Sequence, residues 1–259
     1  SQTMAYIQQL SCSTDAGLGP TAKIGLIVLQ TDQTIEHEFR QLLDIDGVDC
    51  YHSRIANAMA VTPQTLAQMA ADLPVAASLL PSEFEFDAIG YACTSGATVI
   101  GEGAVAAAIQ QHHPYTQVSN PLTAVKAACG ALGLTRIALL TPYTPEVTQA
   151  LADNLQGSDI HIATTGYFNL EDDFTVGRVT AASTLEAVLA LGQNTDCDGV
   201  FVSCTSLRVA GIIAQAESIL GKPVISSNQA LAWHLLTLAG VAPQATHFGC
   251  LFQRSLEQD

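Results

Sequence analysis

FDAIGYACTS, residues 86–95, is the stretch on which the fold turns. Phe86–Ala92 is a short apolar run of the kind that forms a buried strand, and Cys93-Thr94-Ser95 follows it directly. The same grammar returns at residues 199–206, GVFVSCTS, where Gly199–Ser203 runs into Cys204-Thr205-Ser206. The two cysteines lie 111 positions apart (204 − 93) in a chain of 259 residues, a little under half its length. One turn built twice, once per half, would set two thiols facing each other across a cleft.

Outward from these turns, strand-like and helix-like segments alternate. Lys23–Leu29, Asp49–His52, Phe86–Ala92, Arg136–Leu140, Asp159–Thr164, Gly199–Ser203 and Pro223–Ser226 read as strands. Thr34–Leu43, Thr62–Leu73, Ala97–Gln111, Pro121–Gly133, Pro145–Leu155, Ala181–Leu191, Leu207–Leu220 and Asn228–Ala239 read as helices, several opened by proline and one closed by Gly133. This order predicts an α/β protein of two pseudo-symmetric lobes, each a parallel sheet flanked by helices. Residues 21–119 plus 227–259 are expected in the first lobe and 120–226 in the second, after an arm at 1–20. Ligands of such sheets bind beyond the carboxyl ends of strands, where both Cys-Thr-Ser turns fall. If each turn opens a helix, the free N–H groups there favour a thiolate and can hold a carboxylate.

Composition excludes several alternatives. The net charge of −15, with only nine Lys and Arg, argues against nucleic acid and anionic membrane surfaces. No apolar run reaches the ~18 residues of a membrane span, and Ser1–Pro20 lacks the basic start of a secretory signal. The expectation is a cytoplasmic protein whose seven cysteines are free. No Cys or His spacing matches a metal site, and none of Lys23, Lys126 and Lys222 has the setting of a cofactor-binding lysine. Neither metal nor cofactor is expected.

Five segments in order, at 24–39, 91–101, 120–147, 168–178 and 199–208, resemble the aspartate/glutamate racemase superfamily. The nearest branch holds maleate cis–trans isomerases, arylmalonate decarboxylases and ectoine-utilisation racemase-like proteins. The resemblance implies two α/β lobes with the site between them, and Cys93 and Cys204 as the catalytic pair. It implies that Thr94, Ser95, Tyr143 and the backbone at Thr205 hold a substrate carboxylate. Arylmalonate decarboxylases keep only the second cysteine, so the pair here points to two-sided chemistry. Maleate isomerases carry Asn where this chain has Asp32, and also at the position matching Asp173. An ionised Asp only accepts hydrogen bonds, so both aspartates favour a substrate ammonium over a second carboxylate. Read structurally, Asp32 instead caps the helix that follows it, and Asp173 is a loop acid.

The expected activity is a cofactor-independent racemase or epimerase of a small amino-acid-like carboxylate, in a homodimer or larger homo-oligomer. A maleate-type isomerase, or a protein that binds an amino acid or osmolyte without turnover, is the alternative.

Overall fold

The computed structural model describes residues 5–58, 60 and 62–254. Residues 1–4 of the expected arm and the last five of the chain lie outside the described residues. Two four-stranded parallel sheets carry the fold. The first has the order β2-β1-β3-β4, from β1 (Ala22–Leu29), β2 (Val48–Ile55), β3 (Ala88–Ala92) and β4 (Gln117–Ser119). The second has the order β6-β5-β7-β8, from β5 (Arg136–Thr141), β6 (His161–Tyr167), β7 (Gly199–Val202) and β8 (Val224–Ser226). Counted within each half, both read 2-1-3-4, so the repeat seen around the cysteines extends to the whole topology. Cys93 follows the third strand of the first sheet, and Cys204 the third strand of the second.

The central strands are apolar throughout because helices cover both faces. All of β3 and β7 is buried, as is β1 apart from Lys23. The first-half helices are α1 (Ile35–Leu42), α2 (Pro63–Ser78), α3 (Thr94–Ile100), α4 (Glu102–Gln110) and α5 (Pro121–Leu132). The second half has α6 (Pro145–Gln156), α7 (Asp173–Val176), α8 (Ala181–Gly192), α9 (Ile213–Leu220) and α10 (Ser227–Leu238). Helix α10 packs against α5, α1, β3 and β4, and its Ser227–Leu236 stretch is buried, with Trp233 and Leu231 at 0 % exposure.

Several boundaries differ from the sequence reading for local reasons. The helix expected at Ala97–Gln111 is two helices, starting earlier at Thr94 and broken at Gly101, whose φ of +95° no helix accommodates. The helix expected from Leu207 starts only at Ile213, after a turn and a 3-10 segment at Ala210–Ile212. Strand β6 begins at His161 because Asp159 occupies a left-handed turn, φ +63°. The short elements β4 and α7 escaped notice.

Candidate active site

Apart from Thr65 on α2, the polar groups of the cleft hang from the first residues past a strand's carboxyl end. Thr31 follows β1, Asn57 follows β2, and Cys93-Thr94-Ser95 follows β3. Tyr143 follows β5, Asp173 lies six residues past β6, Cys204-Thr205-Ser206 follows β7, and Ser227 follows β8. Parallel strands point these ends the same way, so the two sheets bring them to one place. The cleft there holds about 380 Å³ of empty space, part of it open to solvent. Cys93, Cys204 and Asp173 all line it, together with the apolar side chains of Leu29, Leu66 and Met69. Ala60 and Asp172 pair in an isolated antiparallel bridge, which joins loops of the two halves beside it.

The first cysteine is the N-cap of α3. Its Sγ accepts the Gly96 N–H at 3.2 Å and lies 3.7 Å from Ser95 Oγ. Gly96 is required here, because a Cβ would sit 2.5 Å from Tyr91 Oη and 2.9 Å from the sulfur. The second cysteine is not at a helix start. Its backbone has φ +113°, outside the range L-residues favour, and its Sγ faces the Ser206 N–H at 3.4 Å. Both sulfurs are buried, and burial outweighs these N–H groups. It pushes the Cys93 thiol up to about 12 and the Cys204 thiol well above its ordinary value, with the Asp173 charge as the next cause for both. The lowered thiol pKa expected from helix N-termini is therefore not found.

The remaining expected residues divide. Thr94, Ser95, Tyr143 and Thr205 line the cavity. Tyr143 Oη lies 3.0 Å from Ser203 Oγ, and Thr94 Oγ1 lies 2.7 Å from Ser227 Oγ. Asp173 is 5 % exposed, and its Oδ2 accepts from Thr31 Oγ1 at 2.8 Å and from Asn57 Nδ2 at 3.4 Å. Burial, with these hydroxyl and amide donors opposing, raises its carboxyl to about 6. Asp32 does not line the cavity. Its Oδ1 accepts the N–H groups of Thr34 and Ile35, which is the helix-capping role, and its Oδ2 accepts from Thr205 Oγ1 at 2.8 Å. Asp32 thus touches the site only through Thr205. Arg208, in sequence a neighbour of the second turn, donates to the carbonyls of Val179 and Arg178 rather than to an acid.

Sequence reasoning missed Asn57, Thr31, Ser206 and Ser227. Ser227 joins the two cysteine turns: its Oγ accepts the Cys204 N–H at 3.0 Å while contacting Thr94 Oγ1. Ser206 closes the second Cys-Thr-Ser turn, but the repeat gave it no role of its own. The other three belong to no motif, and their one signal was position, just past a strand.

Residues 102–252 match the model of the arylmalonate decarboxylase family. The chain belongs to that family. As a member of the arylmalonate decarboxylase family it stands among enzymes of the aspartate/glutamate racemase-like superfamily, as its relatives bear out. The arylmalonate decarboxylase of Bordetella bronchiseptica is 33 % identical over 135 residues, a match spanning 51 % of this chain and 56 % of that protein. The maleate isomerase of Alcaligenes faecalis is 25 % identical over 246 residues, covering 88 % of this chain and 95 % of that protein. Among solved structures, a variant of a Pseudomonas putida maleate isomerase with maleate superimposes with a TM-score of 0.82 at 23 % identity, over 89 % of this chain and 97 % of the other. A Nocardia farcinica maleate cis–trans isomerase with a covalently bound succinylcysteine intermediate gives 0.79 at 24 % identity, over 89 % and 98 %. The two-lobe fold is common to these structures. Among the described residues no helix is long and apolar enough to cross a membrane, and no His/Cys/Asp/Glu group has the arrangement to hold a metal ion.

Proposed function

We propose that this protein is a cofactor-independent isomerase that racemises or epimerises a small amino-acid-like carboxylate with Cys93 and Cys204. The observation that carries the reading is a carboxyl, Asp173, sharing one cavity with two thiols and raising both of them. A substrate ammonium beside Asp173 offsets that charge and so lowers both thiols, whereas a second substrate carboxylate adds to it. One cysteine, as thiolate, takes the Cα proton. The electron pair left on Cα delocalises into the carboxylate, held by Thr94, Ser95, Tyr143 and the backbone near Thr205. The opposing thiol returns a proton to the other face, so one S–H bond forms as the other breaks and nothing is consumed.

The near full-length likeness to maleate isomerases favours a second reading. There, a sulfur adds to the double bond of a cis-dicarboxylate and its neighbouring carbon gains carbanion character. Rotation about the new single bond and loss of the sulfur give the trans acid.

The test is proton NMR in D2O of small α-amino acids and of maleate with the wild-type protein, Cys93→Ser and Cys204→Ser. The reading expects deuterium at Cα with inversion, lowered at least 100-fold by either substitution. Conversion of maleate to fumarate with no Cα exchange replaces it by the second reading. Exchange that both single variants retain removes the two-cysteine mechanism.

A further inference from the structure

The two Cys-Thr-Ser turns present different atoms to the cavity. In the first, the hydroxyl of Ser95 faces its own sulfur and the N–H of Gly96, three residues on, completes the sulfur's contacts. In the second, the positive φ of Cys204 tightens the turn, and it is the N–H of Ser206, two residues on, that meets the sulfur. The Ser206 carbonyl is taken as well, by Thr34 Oγ1 at 2.7 Å. What remains is the hydroxyl. Ser206 is 1 % exposed, its Oγ has no hydrogen-bond partner among the described residues, and the residue lines the cavity with Cys204. A buried hydroxyl without a partner costs about as much as a lost hydrogen bond, so a protein keeps one where a ligand supplies the partner.

We propose that Ser206 Oγ is a specificity-determining contact for the amino group on the substrate's Cα. The deduction rests on the amino-acid reading above and names a contact it did not contain. On that reading the carboxylate has its donors in Thr94, Ser95 and Tyr143, which line the same cavity. Asp173 supplies an acceptor but no donor when ionised, and Asp32 is committed to Thr34, Ile35 and Thr205. A hydroxyl whose lone pairs are free accepts an N–H from the ammonium. Asp173 provides the charge, and Ser206 fixes the direction. An acid of the same skeleton without nitrogen gains nothing from Ser206.

The test uses matched pairs: L-aspartate with succinate, L-glutamate with glutarate, and L-2-aminobutyrate with butyrate. Binding is measured by calorimetry at pH 8 to the wild-type protein and to Ser206→Ala. In the tightest pair, the substitution is expected to weaken the amino acid about 10-fold or more, the effect of a hydrogen bond to a charged group, and the des-amino acid less than twofold. The ligand-free melting temperature stays level or rises, because no bond is broken. An equal loss for both members, no loss for either, or a lower ligand-free melting temperature overturns the assignment of Ser206 and leaves the racemase reading standing. Binding of des-amino acids alone, or of no member of any pair, overturns that reading and this one together.

Discussion

Asp173 begins a helix of only four residues, yet its carboxyl faces the same cavity as both sulfurs. On the proposed function, its ionisation sets which ligand charge the cavity favours. With the carboxyl at about 6, an ammonium-bearing substrate binds better as pH rises through 6, and a dicarboxylate binds better as pH falls through it. The pH profile of kcat/KM for whichever substrate is turned over shows that sign directly. The same carboxyl also affects stability. Its folded-state value lies above the ordinary 3.8, so its favourable contribution is complete below pH ~4 and is lost as pH rises through 6. Asp173→Asn keeps an acceptor for Thr31 and removes the buried charge. We expect it to stabilise the protein at pH 8 by up to about 3 kcal/mol in urea unfolding, with no gain at pH 4. In the same variant, amino-acid binding is lost and dicarboxylate binding improves. A pH-independent stability difference would mean that packing, not charge, separates the two side chains.

Two glycines separate stability from positioning in the elements that carry Cys93. Gly101 joins α3 to α4 at φ +95°, with nothing within 4 Å of where a Cβ would stand. Gly101→Ala therefore strains the backbone by about 1–2 kcal/mol and leaves activity intact. Gly96 has ordinary φ but no room, being wedged between Tyr91 Oη and the Cys93 sulfur, and Tyr91 is itself held 3.7 Å from Met69 Sδ. Gly96→Ala overpacks the turn by about 1–3 kcal/mol and displaces the sulfur, so kcat falls at least 10-fold. Comparing urea midpoints with kcat checks the contrast, and equal activity losses in the two variants would contradict it. These elements also mark how far sequence carries. Buried parallel strands such as β1, β3 and β7 announce themselves as unbroken apolar runs, and Asn120-Pro121 and Gly133 bracket α5 by capping. The Cys-Thr-Ser repeat located the cavity. It did not reveal that Cys204 departs from the helical pattern, because Cys204-Thr205-Ser206 is spelled like its counterpart and the difference lies in tertiary bonds. Ser227 holds the Cys204 N–H from 23 positions away, a relation no local pattern encodes.

Those tertiary bonds run between the halves of the molecule, and the turn between β1 and α1, with the first turn of α1, makes most of them. Thr205 Oγ1 donates to Asp32, Thr34 Oγ1 donates to the Ser206 carbonyl, and Thr31 Oγ1 donates to Asp173. Glu38 completes the set from 4 % exposure. Its Oε2 accepts the N–H groups of Val209 and Ala210 at 3.1 and 3.0 Å, and its Oε1 accepts from Asn228 Nδ2, which also donates to the Thr205 carbonyl. The first half thus grips the strained Cys204 turn from both ends. Glu38→Ala leaves three buried N–H donors without an acceptor, a loss of about 3–9 kcal/mol at about 1–3 kcal/mol per unmet group. It also lets the turn relax from φ +113°, while the carboxylate donors on α3 stay where they are. The expected result, at a temperature well below the variant's own melting point, is a fall in kcat with KM nearly unchanged, since Cys204 moves and Thr94 and Ser95 do not. A variant that melts early yet keeps the wild-type kcat would reduce Glu38 to a strut between the lobes, and the geometry of the Cys204 turn would then have to be set by Ser227 and Thr34 alone.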